Sequence, residues 1–387
     1  MRVISTLPLL LLLILSASCS QSSDVKQERE RRAHTSTGNI SIGAVAPWAW
    51  LEGKNQYWQG LEMALDEINS GGGMLGRKIR LIKKDDEGTV SKGRIAAQEF
   101  ADNPDVVAVI GHFNSYVSIP TSITYQYYGV LMLSPISTAP QLTNREGFTY
   151  IFRSVPTDDR FARRLAEFAK KRGYERLMTY CLNDDYGIEL ANAFETHATE
   201  LGCTIVDRLS YDPNSPVGYF KKDLEHWKKD FTFDAIFLAG TVPKAAEIIS
   251  EARRLGIKVP VLGGTGLNSP QLWEIGGDGV EETIVSTYFH SDDPRPEVQA
   301  FNRAFSNRYG KLPDARAAQG YDALKLLAYA MQQAGTTAPS KVSGALAKTR
   351  NWIGVTGPHT FNDKGDVVDK PIALQVVRDK KFELLKE

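Results

Sequence analysis

After residue 39 the chain alternates between short β-rich runs and helical stretches almost to its end. The runs are Ile40–Ala46, Lys78–Lys83, Val106–Ile110, Val130–Leu133, Arg176–Leu182, Thr204–Leu209, Ala235–Ala239, Val259–Leu262 and Thr283–Phe289. Between most of them lie segments with apolar residues at helical spacing, such as Tyr57–Ile68, Lys92–Phe100, Phe161–Lys171, Ile188–Leu201 and Ala245–Leu255. Helix stops fall where this rhythm needs them: Asn69-Ser70-Gly71-Gly72-Gly73 after the first helix, then Gly173, Gly202 and Gly256. Such alternation builds parallel sheets covered by helices, the α/β class. So many strands in one open sheet would be unusual, so two doubly wound parallel-sheet lobes are expected. No repeat of solenoid length competes with that reading.

Composition narrows the function classes. The 387 residues are 42% hydrophobic and 24% charged, which suits a folded chain of about two domains. Forty-six basic residues balance 46 acidic ones, so no net field draws the protein to nucleic acid or to anionic lipid. Three cysteines with no CxxC pair and no Cys/His cluster exclude a disulfide scaffold and give no structural metal.

The N-terminus reads as an export segment. Met1-Arg2 is followed by an apolar stretch from Leu7 to Leu15 and by Ser16-Ala17-Ser18, which together predict a signal peptide over 1–18. That stretch is far shorter than the roughly 20 residues of a spanning helix, and nothing later approaches that length. Cys19 follows the small residues as in the bacterial lipobox, although Ser16 stands where that motif prefers Leu. Lipid attachment at Cys19 and plain secretion both stay open, and a lipid there would be the only membrane contact. Residues 19–38 are polar and without periodicity, so a flexible tether is expected.

In open parallel sheets, ligands bind beyond the carboxyl ends of the strands, where loops and helix N-termini point free N–H groups. Those loops are Pro47-Trp48-Ala49-Trp50, His112-Phe113-Asn114-Ser115 and Ser134-Pro135-Ile136-Ser137-Thr138, then Asn183-Asp184-Asp185-Tyr186, Thr241-Val242-Pro243 and Gly263-Gly264-Thr265-Gly266. Small hydroxyl residues and aromatics dominate them. Ser115 and the run from Ser134 to Ala139 precede helical stretches and can offer hydroxyls and amides to a carboxylate. Taken singly, each hydroxyl is more often a helix cap than a ligand contact.

The run Ile110-Gly111-His112-Phe113-Asn114-Ser115, continuing through Gly129–Pro140, resembles the leucine/isoleucine/valine-binding proteins of bacterial ABC importers. Gly60–Ala64, Ile68-Asn69, Gly72–Arg77, Asp85-Asp86, Asp185-Tyr186-Gly187, Gly320–Ala323 and Gly354–Gly357 follow in the same order, so the resemblance covers nearly everything after Asn39. It implies a type I periplasmic binding fold, two lobes joined by a three-strand hinge with the ligand held between them. The crossings fall near Phe152–Thr157, Ser286–Phe289 and Thr360–Asp366. Lobe I then takes 39–156 plus 288–363, and lobe II takes 157–287 plus 364–387. Hinge closure around a small-molecule solute, read by an ABC permease in the inner membrane, is the implied mechanism. A monomer without cofactor or metal, in the periplasm or on the extracytoplasmic face, is expected.

The resemblance also assigns a site. Ser115 and Thr138 hold the ligand's α-carboxylate, and the carbonyl of Ile136 receives the α-ammonium. Asn114 and Ser137 lie in the same loops, Tyr186 packs on the ligand from the second lobe, and Trp48 and Trp50 line the side-chain pocket. Thr241 stands where the family has an aromatic residue, and Thr265 where it has the acid that meets the ammonium. Either Asp184 or Asp185 supplies that charge, or the ligand is not an α-amino acid and an aromatic or aliphatic acid, a small amide or a neutral metabolite takes its place.

Other chemistry is weaker. Asp85-Asp86-Glu87 reads as a solvated acidic face, His112 as a hydrogen-bonded loop histidine, and Gly263–Gly266 as a tight turn that lacks the phosphate-loop Lys. Cys181 and Cys203 lie on neighbouring expected strands, and their pairing is open. Three functions follow: solute capture for import, a ligand-sensing receptor module, and an enzyme, which alone would consume its ligand.

Overall fold

The structure, a computed structural model, describes residues 22–386; the signal peptide, Cys19 and Glu387 lie outside the described residues. Helix α1 occupies residues 22–35. A first layer follows: β1 (Ile40–Ala46), α2 (Trp48–Leu51), α3 (Tyr57–Ser70), β2 (Ile79–Asp85), α4 (Val90–Asp102), β3 (Val106–Ile110), α5 (Ser115–Tyr128), β4 (Leu131–Ser134) and β5 (Ile151–Arg153). Its strands form one parallel sheet in the order β2-β1-β3-β4-β5.

A second layer repeats the plan with α6 (Asp158–Lys171), β6 (Arg176–Leu182), α7 (Asp185–Glu200), β7 (Thr204–Tyr211), α8 (Val217–Asp230), β8 (Ala235–Ala239), α9 (Lys244–Arg254), β9 (Val261–Gly263), α10 (Gln271–Gly276) and β10 (Ile284–Thr287). Its parallel strands run β10-β9-β8-β6-β7, the same winding as the first sheet. In each sheet the chain reverses its winding direction beside the first strand, which opens a crevice at β1/β3 and at β6/β8. The runs Ile40–Ala46, Val106–Ile110, Arg176–Leu182 and Ala235–Ala239 coincide with strands residue for residue.

The chain then returns to the first layer. Helices α11 (Pro296–Tyr309), α12 (Ala315–Ala334) and α13 (Pro339–Ala347) follow, and Leu324, Leu327, Met331 and Leu346 join Ile42, Leu61 and Leu133 in one buried cluster. Helix α12 approaches α3 so closely that a Cβ on Gly60 would stand 1.9 Å from the Ala317 carbonyl oxygen. A hairpin of β11 (Trp352–Gly354) and β12 (Gly357–His359) precedes β13 (Ala373–Arg378) and β14 (Lys381–Leu384), which extend the second sheet antiparallel beyond β10. Where segments pass between layers, the buried Arg153 guanidinium bonds Asp366 Oδ1 at 2.6 and 2.9 Å, and Thr143 Oγ1 at 2.7 Å.

Two expectations are corrected, and the open question of the cysteines is answered. Within the expected flexible tether, residues 22–35 form α1, docked on the first layer through Arg29. That guanidinium is fully buried and donates to the carbonyls of Val106 (2.8 Å), Tyr128 (2.5 Å) and Ala101 (2.5 Å), with longer bonds to Phe100 and Asn103. Cys181 and Cys203 are free. Cys181 pairs in register with Ser210, whereas Cys203 precedes Thr204, the partner of Arg176, so the thiols sit at opposite ends of the strand pair. By strand rise they are on the order of 15 Å apart, beyond the reach of a disulfide. Finally, Asp86 is not solvated: it is fully buried, takes Gly88 N–H on one oxygen, and faces His112 Nδ1 at 2.7 Å with the other. His112 is the hydrogen-bonded loop residue expected, its Nε2 3.1 Å from Tyr125 Oη. Asp85 remains exposed.

Candidate functional site

The loops that leave the carboxyl ends of the two sheets face one another, and α5 meets α7 across the gap. On the first layer, β3 is followed by Phe113 and Asn114, then by α5, whose first residue is Ser115. Starting a helix here leaves first-turn amides without intrahelical partners. Asn114 makes no side-chain capping bond. The Ser115 hydroxyl is buried and accepts from Ala139 N–H at 3.3 Å, which ties the α5 start to the loop after β4. Ser137 Oγ is held by Ser118 Oγ at 2.6 Å and donates to the Phe113 carbonyl at 3.2 Å, so this hydroxyl braces the two loops against each other. Ile136 and Thr138 are buried beside it. Arg153 fixes the same loop from behind by donating to the Ala139 carbonyl at 2.7 Å.

The second layer brings Tyr186, Thr241 and Thr265 to the gap. Tyr186 Oη accepts from Gly266 N–H at 3.0 Å, the Thr265 side chain lies beside it, and burial drives the phenol well above its ordinary range. Thr241 is half-buried, and its carbonyl starts α9 by accepting from Ala245 N–H. Asp184 spends one oxygen capping α7 through Gly187 N–H at 2.8 Å, and burial raises its carboxyl to about 6. Asp185 is exposed.

The tryptophans are divided. Trp48 is buried in the first-layer core, donates Nε1 to the Ala44 carbonyl at 3.3 Å and stacks on Tyr57 with ring centroids 5.4 Å apart. Trp50 is 43% exposed, with the Lys54 ammonium 4.6 Å from its ring centre.

Sequence reading missed the group with the most distinctive chemistry. Asp158, the first residue of α6, is completely buried, and neither carboxylate oxygen has a hydrogen-bond partner. Its own N–H donates to the Thr138 carbonyl at 3.0 Å, so the carboxyl sits against the loop that carries Ile136 and Thr138. Burial pushes it from an ordinary 3.8 up to about 8. The nearby Thr138 side chain and Arg153 oppose that rise, and Glu189 and Asp184 add to it. Thr138 is close enough to temper the shift, yet no donor meets either oxygen with hydrogen-bond geometry. A buried carboxyl without a donor is costly unless something in the gap completes it. An acid in the first turn of a helix is an ordinary complement to the helix dipole, so spacing alone gave no reason to single this one out.

A family model described as periplasmic binding protein matches residues 49–381. A Leu/Ile/Val-binding protein homolog of Brucella abortus is 31% identical over 340 residues, 86% of this chain and 88% of the relative. An ABC transporter substrate-binding protein of Desulfitobacterium hafniense, solved with Leu, is 38% identical with a TM-score of 0.80, and the match covers 90% of this chain and all of the other. The leucine-binding protein LivK of Thermotoga maritima is 27% identical with a TM-score of 0.82, covering 90% and 98%.

Proposed function

The chain belongs to the periplasmic binding protein family, and from that premise we propose that it captures a small α-amino acid between its two lobes for an ABC importer. The lobes are 39–156 with 288–363 and 157–287 with 364–387, hinged where the layers exchange segments. The observation that carries the ligand class is Asp158. Ser115 and Thr138 offer hydroxyls and a helix start to an α-carboxylate, while Asp158 and the Ile136 carbonyl offer acceptors to an α-ammonium. This pairing supplies the charge that Thr265 cannot, and it removes the need for Asp184, which is engaged as a cap, or for the exposed Asp185.

Closure works by differential contact: the solute touches both layers only when they are together, so its binding energy is spent holding them there. The permease reads that closed shape. The protein works outside the cytoplasm and returns its ligand chemically unchanged. Mass spectrometry of the compound before and after incubation tests the last point, and a product formed only with protein present would refute it.

Ser115→Ala and Thr138→Ala proteins are each expected to bind about 1–3 kcal/mol more weakly, the worth of one charge-assisted hydrogen bond, with little change in melting temperature. Calorimetric titration with a panel of amino acids measures this, and unchanged affinity in both would remove the carboxylate assignment.

Affinity should also depend on pH. The free Asp158 carboxyl titrates at about 8, and an incoming ammonium favours its ionised form, so binding near pH 7 releases close to one proton. Affinity therefore rises by up to about tenfold per pH unit toward pH 8 and levels off above it. Titrations in buffers of different ionisation enthalpy count the proton, and zero release at pH 7 would contradict the role given to Asp158.

A further inference from the structure

Arg316, in the first turn of α12, is half-buried and has no carboxylate at ion-pair distance among the described residues. Its Nη atoms donate to Tyr288 Oη (3.1 Å), Gln319 Oε1 (3.1 Å) and the Thr265 carbonyl (3.0 Å), all neutral groups, and Cζ lies 5.6 Å from the centre of the Phe113 ring. Arg316 thus touches the first-layer loop that carries Ser115 and the second-layer loop that carries Thr265. Beside it, Tyr57 is buried with its ring 6.0 Å from Phe113, and its hydroxyl, within reach of the Arg316 charge, has no hydrogen-bond partner.

A guanidinium without a carboxylate in contact, its charge felt only at longer range by the buried Asp314, and an unpartnered phenol therefore converge on Phe113, two residues from the hydroxyl assigned to the α-carboxylate. We propose that this corner receives the ligand's side chain, and that the side chain ends in a hydrogen-bond acceptor, a carboxylate or a carboxamide. The inference rests on the α-amino acid reading above. The three bonds use three of the guanidinium's five N–H groups; the other two can meet a carboxylate or amide oxygen, and the phenol can donate to the same group. A purely aliphatic side chain would leave the buried Tyr57 hydroxyl without a partner in a closed cleft, and sites built to bond a polar group reject analogues that lack it.

The test is calorimetric titration of the full chain with glutamate, glutamine, methionine and leucine, repeated on Arg316→Met and Tyr57→Phe. Glutamate or glutamine should bind at least about tenfold tighter than methionine, its near-isostere, and the ratio should shrink toward unity in both variants. Thermal melts without ligand check that each variant folds; the wild-type ratio stands as a test even if one does not. Saturable binding in which leucine or methionine is tightest, or a ratio unchanged in both folded variants, overturns this inference alone. Failure of every α-amino acid to bind overturns the reading beneath it.

Discussion

An Asp158→Asn protein is expected to bind its amino acid at least about a hundredfold more weakly while folding at least as well as the parent, because removing one partner of a buried charge pair costs about 2–5 kcal/mol of affinity. Stability moves the other way. In the unfolded chain the carboxyl ionises near its ordinary 3.8, whereas in the fold it holds its proton to about 8. The native state therefore binds more protons between those values. Its contribution to stability is fully present below the lower value and is lost as pH rises through the upper one. Asparagine has no charged form to bury, so the variant should melt higher than the ligand-free parent at pH 8, with the gap narrowing at pH 4. Affinity within a few-fold of the parent would sink the assignment; a fall in affinity together with a lower melting temperature at every pH would point to a structural role instead.

The second large effect concerns Arg29. Its guanidinium meets carbonyls from the end of α4, the start of β3 and the end of α5, and burial lowers it to about 10. Arg29→Met would leave those carbonyls without their donor and the helix without its anchor, a loss of about 3–5 kcal/mol. Those contacts lie at the amino ends of the strands, away from the cleft, so affinity for the solute should stay within about twofold. Chemical denaturation reads the first quantity and calorimetry the second. A denaturation midpoint unchanged by the substitution would mean that α1 adds nothing to the fold.

The same helix shows where sequence reading ran out. Its inward face is Ser22, Arg29 and Ala33, correctly spaced for a helix but carrying no large apolar side chain, so hydrophobic periodicity had nothing to register. By contrast β3, five buried residues of Val, Ala and Ile, could hardly be anything but an interior strand. Strands β13 and β14 lie outside the strand-helix rhythm because they form an antiparallel hairpin, and a rhythm argument does not ask for them. The loops that follow β3 and β4, which carry Ser115, Ile136 and Thr138, were legible as the mouth of the first sheet. Trp48 was not: an indole after a strand end looks available for a ligand, yet here it turns back onto Tyr57 and the Ala44 carbonyl. Asp86 misled for a related reason, since a run of acids suggests water and only the fold brings His112 against it.

The Arg29 clamp also makes the two halves mechanically unequal. Any pull applied to residue 22 would be delivered through Arg29 to the back of the first sheet. A chain held there would have its first half as the moored jaw, and the second, bearing Asp158 and Tyr186, would be the one to travel.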